Sequence, residues 1–94
     1  MIIMILRELL DYFDIDVELP EYLYSHPFNE VFLKGDLSKR GNNYKITVET
    51  RKDVTHTMLI NPRDAYPVVI SSILPNGKTN GTKFGQSEDD LLFI

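Results

Sequence analysis

Residues 44–74 alternate apolar and polar positions in three successive runs, with turn chemistry between them. In the first run Tyr44, Ile46, Val48 and Thr50 alternate with Lys45, Thr47, Glu49 and Arg51. A period of two turns one face of a strand inward and leaves the other in solvent. The polar corner Arg51-Lys52-Asp53 precedes a second run over 54–60, and the loop 61–67, fixed by Pro62 and Pro67, precedes a third over 68–74. β-branched residues fill all three, as strand positions prefer. The pattern predicts an antiparallel meander. Residues 30–37 predict a further strand with 38–43 as its hairpin loop, and Pro75-Asn76-Gly77-Lys78 predicts a tight turn into a short edge strand at 79–84. That makes about five strands.

Ahead of the sheet the period changes. Ile2, Ile5, Leu6, Leu9, Leu10 and Phe13 form one stripe of a helix over residues 2–13, with Arg7, Glu8, Asp11 and Asp14 facing away. Pro20 and Glu21 suit the first turn of a short second helix, running to about Ser25 and stopped by Pro27. Tyr22 and Tyr24 cannot both be buried there, so at least one is expected at the surface as an interface anchor. The expected fold is α+β: an N-terminal helix and a short second helix on an antiparallel sheet of about five strands. One domain spans 1–86, and residues 87–94 form an acidic-then-apolar tail, mobile unless Leu91, Leu92 and Phe93 find a surface.

Charge changes this picture by its distribution. The net charge is −4. Residues 8–30 carry seven acids and no Lys or Arg, residues 31–85 carry nine bases against four acids, and Glu88-Asp89-Asp90 adds a last acidic cluster. The ends are acidic around a mildly basic sheet. Within the first acidic stretch, Asp14, Asp16 and Glu18 alternate with Ile15, Val17 and Leu19. In an extended segment these carboxylates stand about 6.5–7 Å apart. Two nucleotides along one DNA strand advance about 6.8 Å. The row therefore reads either as a mimic of a phosphate backbone or as the polar face of an edge strand protected from aggregation.

Chemistry is sparse along the chain. There is no Cys, hence no disulfide framework and no thiolate nucleophile. His26 and His56 fall in different elements, and His56, in phase with Val54, Met58 and Ile60, reads as a partly buried structural residue. No phosphate-binding loop, metal-ligand spacing or nucleophile elbow is present. The expectation is a non-enzyme with no catalytic residues, metal or cofactor. Residues 1–6 are apolar but too short and wrongly flanked for a signal peptide or a membrane span. A cytoplasmic protein without membrane contact is expected, and Asn80-Gly81-Thr82 reads as a turn.

The order of these features resembles the small phage uracil-DNA glycosylase inhibitor family. The similarity runs from the helix to Leu19-Pro20-Glu21, then Ile46-x-Val48-x-Thr50 with Asp53 at the turn. It continues through Met58-Leu59, Ala65-Tyr66-Pro67, Val69-Ile70 and Asn76-Gly77, and ends near Lys83. It covers about half the chain and rests on the order of the motifs. The resemblance implies an inhibitor that mimics DNA, with an acidic edge strand entering the enzyme's groove. A cavity between helix and sheet would receive an apolar side chain of the enzyme. On this reading Met58, Ile60 and Val69 line the cavity, while Asp14, Asp16, Glu18, Glu21 and Tyr22 meet the partner. The chain departs from the family in lacking its Glu-Ser-Ile segment before the second helix. It also has Tyr22, Tyr24 and His26 where the family has acids, and it carries a tail after Phe84.

The expected partner is thus a DNA-repair or other DNA-processing enzyme, met in the host cytoplasm if the chain is phage-encoded, with no direct nucleic-acid binding. Two other readings compete. Glu88-Asp89-Asp90-Leu91-Leu92-Phe93-Ile94 looks like the acidic tip of bacterial single-stranded-DNA-binding proteins, on five strands closing an OB-like barrel. A toxin-immunity protein is the other.

Overall fold

The computed structural model describes residues 4–94. It is α+β, with one α-helix, a two-stranded sheet and a six-stranded antiparallel sheet. The large sheet is an open meander in sequence order: β3 (Phe32–Arg40), β4 (Asn43–Thr50), β5 (Thr55–Ile60), β6 (Val68–Ile73), β7 (Thr79–Phe84) and β8 (Leu91–Phe93). Ahead of it Met4–Ile5 (β1) pairs with Pro27–Phe28 (β2), and α1 spans Leu6–Tyr12. The sheet has six strands rather than five, and its edges β3 and β8 do not close an OB-like barrel.

Register follows the alternation. Tyr44 faces Ile60, Ile46 faces Met58, and these face Val68 and Ile70 on β6. This face carries the core, where Ile46, Val48, Met58, Ile60 and Val68 are buried with Leu6, Leu9 and Leu10 of α1. The opposite face shows Lys45, Thr57, Leu59 and Ile73, of which Leu59 and Ile73 are exposed. One-sided burial is what a period of two encodes.

The helix is shorter than its apolar stripe. Ile2 lies outside the described residues, and Ile5 is the last residue of β1, its N–H donating to the Glu8 carboxylate at 2.9 Å. At the other end Asp14 takes a left-handed φ of 56°. Its N–H reaches Asp11 O, and the Ile15 N–H reaches back to Leu10 O at 2.9 Å. These two bonds are a Schellman stop, completed by burial of both Leu10 and Ile15.

Residues 15–19 bury Ile15 and Leu19 and expose Asp16 and Glu18, but they join no sheet. The edge strand expected there does not form. Instead the Tyr24 hydroxyl serves the segment, donating to Val17 O at 3.0 Å and accepting from the Leu19 N–H at 2.8 Å. Tyr24 sits in a 3₁₀ turn, Glu21–Ser25, which takes the place of the second α-helix.

Three other expectations change. The first hairpin turns on two residues, with Arg40 paired to Asn43 and Gly41 at φ 62°, so β3 runs three residues past its expected end. Asn80, Gly81 and Thr82 lie within β7. The tail forms β8, paired with β7 from Phe84–Leu91 to Thr82–Phe93. Gly81 and Ile94 then exchange two backbone bonds of 3.0 Å. A Cβ on Gly81 would stand 2.8 Å from Ile94 Cγ1, so the glycine makes room for the chain's last side chain. Among the described residues no helix is long and apolar enough to cross a membrane.

Candidate functional site

The cleft that could take a partner's side chain lies at the β3 edge. It opens between α1 and β3, measures about 170 Å³, and is lined by Met4, Leu9, Tyr12, Phe13, Phe32, Leu33, Lys34, Gly35 and Val48. Local backbone chemistry builds it. The register of β3 against β4 shifts between Phe32 and Lys34, leaving Leu33 as the extra residue of a bulge. Bulges re-aim side chains, and Leu33 is 66% exposed at the rim. Tyr12, 75% exposed, forms the helix-side rim. Gly35 lets the Phe13 ring approach the strand, which sets one wall.

Two features distinguish this edge. Residues 33–40 of β3 are exposed throughout, and among the described residues β3 has a hydrogen-bonded neighbour on one side only, β4. An edge with free N–H and C=O groups is a template for another chain. Its own charges are Lys34, Asp36, Lys39 and Arg40, so the edge strand is basic rather than acidic. The acids of the segment ahead of the large sheet, Glu8, Asp11, Asp14, Asp16, Glu18 and Glu21, are all exposed.

Each expected contact residue has a definite place. Asp14 is the left-handed residue that stops α1. Asp16 and Glu18 line a separate groove, with Arg40 and Arg63 on its other wall, so basic groups temper their field. Glu21 opens the 3₁₀ turn.

Tyr22 is half-buried, and its hydroxyl donates to Gly85 O at 2.6 Å, tying the 3₁₀ turn to the end of β7. Burial first, and then the nearby Asp90 and Glu88 carboxylates, push its pKa up. Since Tyr24 is also half-buried and bonded, neither tyrosine is the free anchor expected.

Met58 and Ile60 are fully buried members of the core and open no cavity. The reason is that residues 15–25 fold onto the same core, contributing Ile15, Leu19 and Leu23. Val69 is half-buried on the opposite face, and Val68 is its inward neighbour.

Sequence reasoning missed Phe13, Phe32, Leu33 and Gly35. The available signal was Gly35, since a glycine inside a strand pattern marks a bulge or a close approach. Among the described residues no group of three or more His, Asp or Glu is placed to hold a metal ion. Comparison with protein-family models, with curated proteins and with solved structures gives no match to this chain.

Proposed function

We propose that this chain is a small blocking protein that captures a DNA-processing enzyme by taking one of its apolar side chains into the α1–β3 cleft. The observation that carries the reading is the cleft itself. Apolar cavities of about 150 Å³ hold a benzene-sized group, and this one, at about 170 Å³, matches a single apolar side chain. Filling it stabilises a complex by about 1.5–3 kcal/mol. The acidic bank of residues 8–21 supplies the complement to a basic DNA-binding groove, steering the encounter and setting specificity. The exposed β3 edge adds backbone donors and acceptors.

A uracil-DNA glycosylase is the specific partner proposed, on the order of motifs in the sequence. Acidity here lies on α1 and on the segment that follows it, so the mimicry of DNA is assigned to Glu8, Asp11, Asp16 and Glu18 rather than to an edge strand. The test is competition. The protein should form a stoichiometric complex with the glycosylase that DNA displaces, and the free protein should leave single- and double-stranded DNA unshifted on a gel. Charge reversal at Asp16 and Glu18 should weaken the complex. Salt-dependent binding of DNA by the free protein would instead favour a nucleic-acid-binding module.

A further inference from the structure

On the core face of the sheet, next to the cleft at Phe32, a second site brings four polar side chains together. His56 on β5 and Ser72 on β6 are direct cross-strand partners, and Asn80 on β7 is the next partner in the same row. His56 Nδ1 lies 2.6 Å from Ser72 Oγ. On its other side His56 Nε2 lies 2.9 Å from Glu30 Oε2. With Glu30 ionised, Nε2 carries the proton and donates to the carboxylate, so Nδ1 is left as an acceptor for the Ser72 hydroxyl. This is the arrangement of an activated nucleophile: hydroxyl, base, and a third group that orients the base. Only Nδ1 can accept the hydroxyl proton, because the Nε2–H is held by the acid.

The row opens into a cavity of about 270 Å³ between β2 and the sheet. His56, Ser72, Glu30 and Asn80 line it together with the aromatic rings of Phe28, Phe32 and Phe84. Ser72 and His56 are largely buried, Glu30 is partly so, and Asn80 is exposed.

We infer that Ser72 is the nucleophile of an acyl-transfer site that hydrolyses small uncharged carboxylic esters. His56 is its general base, Glu30 the positioning residue, and Asn80 the amide donor toward the carbonyl oxygen. The Phe28, Phe32 and Phe84 rings select an apolar or aryl ester, and Glu30 disfavours an anionic one.

Ser72 Oγ bonds to the ester carbonyl carbon as its proton passes to His56 Nδ1, and the carbonyl π pair moves to oxygen beside the Asn80 amide. The carbonyl re-forms, the C–O bond to the alcohol breaks, and the departing oxygen takes the proton from Nδ1. Water then repeats the sequence on acyl-Ser72, giving up its proton to His56 and releasing the carboxylic acid. Ester and water become acid and alcohol, with Ser72 and His56 restored. The hydrolytic site does not depend on the blocking function, although Phe32 lines both the cleft and this cavity.

The experiment uses the full chain with p-nitrophenyl acetate and butyrate, and in parallel an aryl fluorophosphonate probe followed by peptide mass spectrometry. One adduct per chain is expected, on Ser72. Nitrophenol release should fall at least about 100-fold in Ser72→Ala and His56→Gln, the scale of general-base assistance. Glu30→Gln should lower kcat with KM little changed, and Lys45→Gln, a control exposed on the opposite face of the sheet, should keep the rate. Three results overturn the site: no adduct on folded wild-type chain, an adduct elsewhere than Ser72, or release that persists in Ser72→Ala but is lost in His56→Gln. The last would be hydrolysis by the imidazole alone. Because adduct mapping is done on the wild-type chain, a variant that fails to fold does not blunt the test.

Discussion

The Phe13 ring rests on Gly35: a Cβ built at position 35 would stand 2.9 Å from Phe13 Cζ and 3.4 Å from Val48 Cγ1. This approach joins the C-terminal end of α1 to edge strand β3 and fixes one wall of the cleft. Gly35→Ala forces the ring aside and should cost about 1–3 kcal/mol, the range for overpacking. Combined with Phe13→Ala, the clash is gone, so the two changes should be non-additive by at least about 0.5 kcal/mol in urea denaturation. Additive costs would mean that the ring and the strand do not meet.

Asp14 separates a structural role from a binding role. At φ 56° it holds a conformation that glycine adopts freely and β-branched residues resist. Asp14→Gly should leave stability equal or higher, while Asp14→Val should lose about 1–2 kcal/mol by chemical denaturation. Glycosylase capture should be little changed by Asp14→Gly, since the acids assigned to contact are Glu8, Asp11, Asp16 and Glu18.

His26 makes stability depend on pH. Its ring packs edge-on against Phe28 and Phe84, at centroid distances of 5.2 and 5.0 Å, and burial pushes its pKa below the ordinary value. The unfolded chain then binds the proton more readily than the folded one, so stability rises with pH through this window. It should fall as pH drops below about 6.5, the ordinary histidine value. Denaturation midpoints of wild type and His26→Gln should converge on acidification, and a constant gap would remove His26 as the cause.

Tyr22 should titrate late. Its raised pKa means the folded chain keeps the phenolic proton longer than the unfolded chain. The associated stability is complete below about pH 10 and is lost as pH rises through the folded value. In an ultraviolet titration, Tyr22→Phe should delete a phase that ionises above the ordinary tyrosine value. Losing its bond to Gly85 O should also cost about 0.5–1.5 kcal/mol.

The sheet was legible because alternation from Tyr44 to Thr50 and the turn residues Asp53 and Gly77 specify strands locally. Both turn residues take positive φ, at 59° and 83°. Residues 14–19 were legible only in part. Their alternation set which side chains are buried, but the backbone partner, the Tyr24 hydroxyl, lies several residues downstream and leaves no periodic trace. The tail misled for a similar reason: its pairing needs the bare Cα of Gly81, which in sequence weakens a strand. Neither candidate site could be read from spacing. The cleft is made by a bulge at Leu33, and His56, Ser72 and Glu30 meet only through cross-strand register and a loop.

The central claim is capture through the α1–β3 cleft. Its most direct measurement is titration of this protein into a uracil-DNA glycosylase assay, wild type beside Leu33→Asp and Tyr12→Asp. Both rim residues are exposed, so folding should survive the changes. The account predicts that wild type abolishes activity near one equivalent. Each variant, presenting a charge where an apolar side chain must enter, should require more than about ten times as much protein, the equivalent of at least 1.4 kcal/mol. Full glycosylase activity in excess wild-type protein, or equal inhibition by all three proteins, would contradict it.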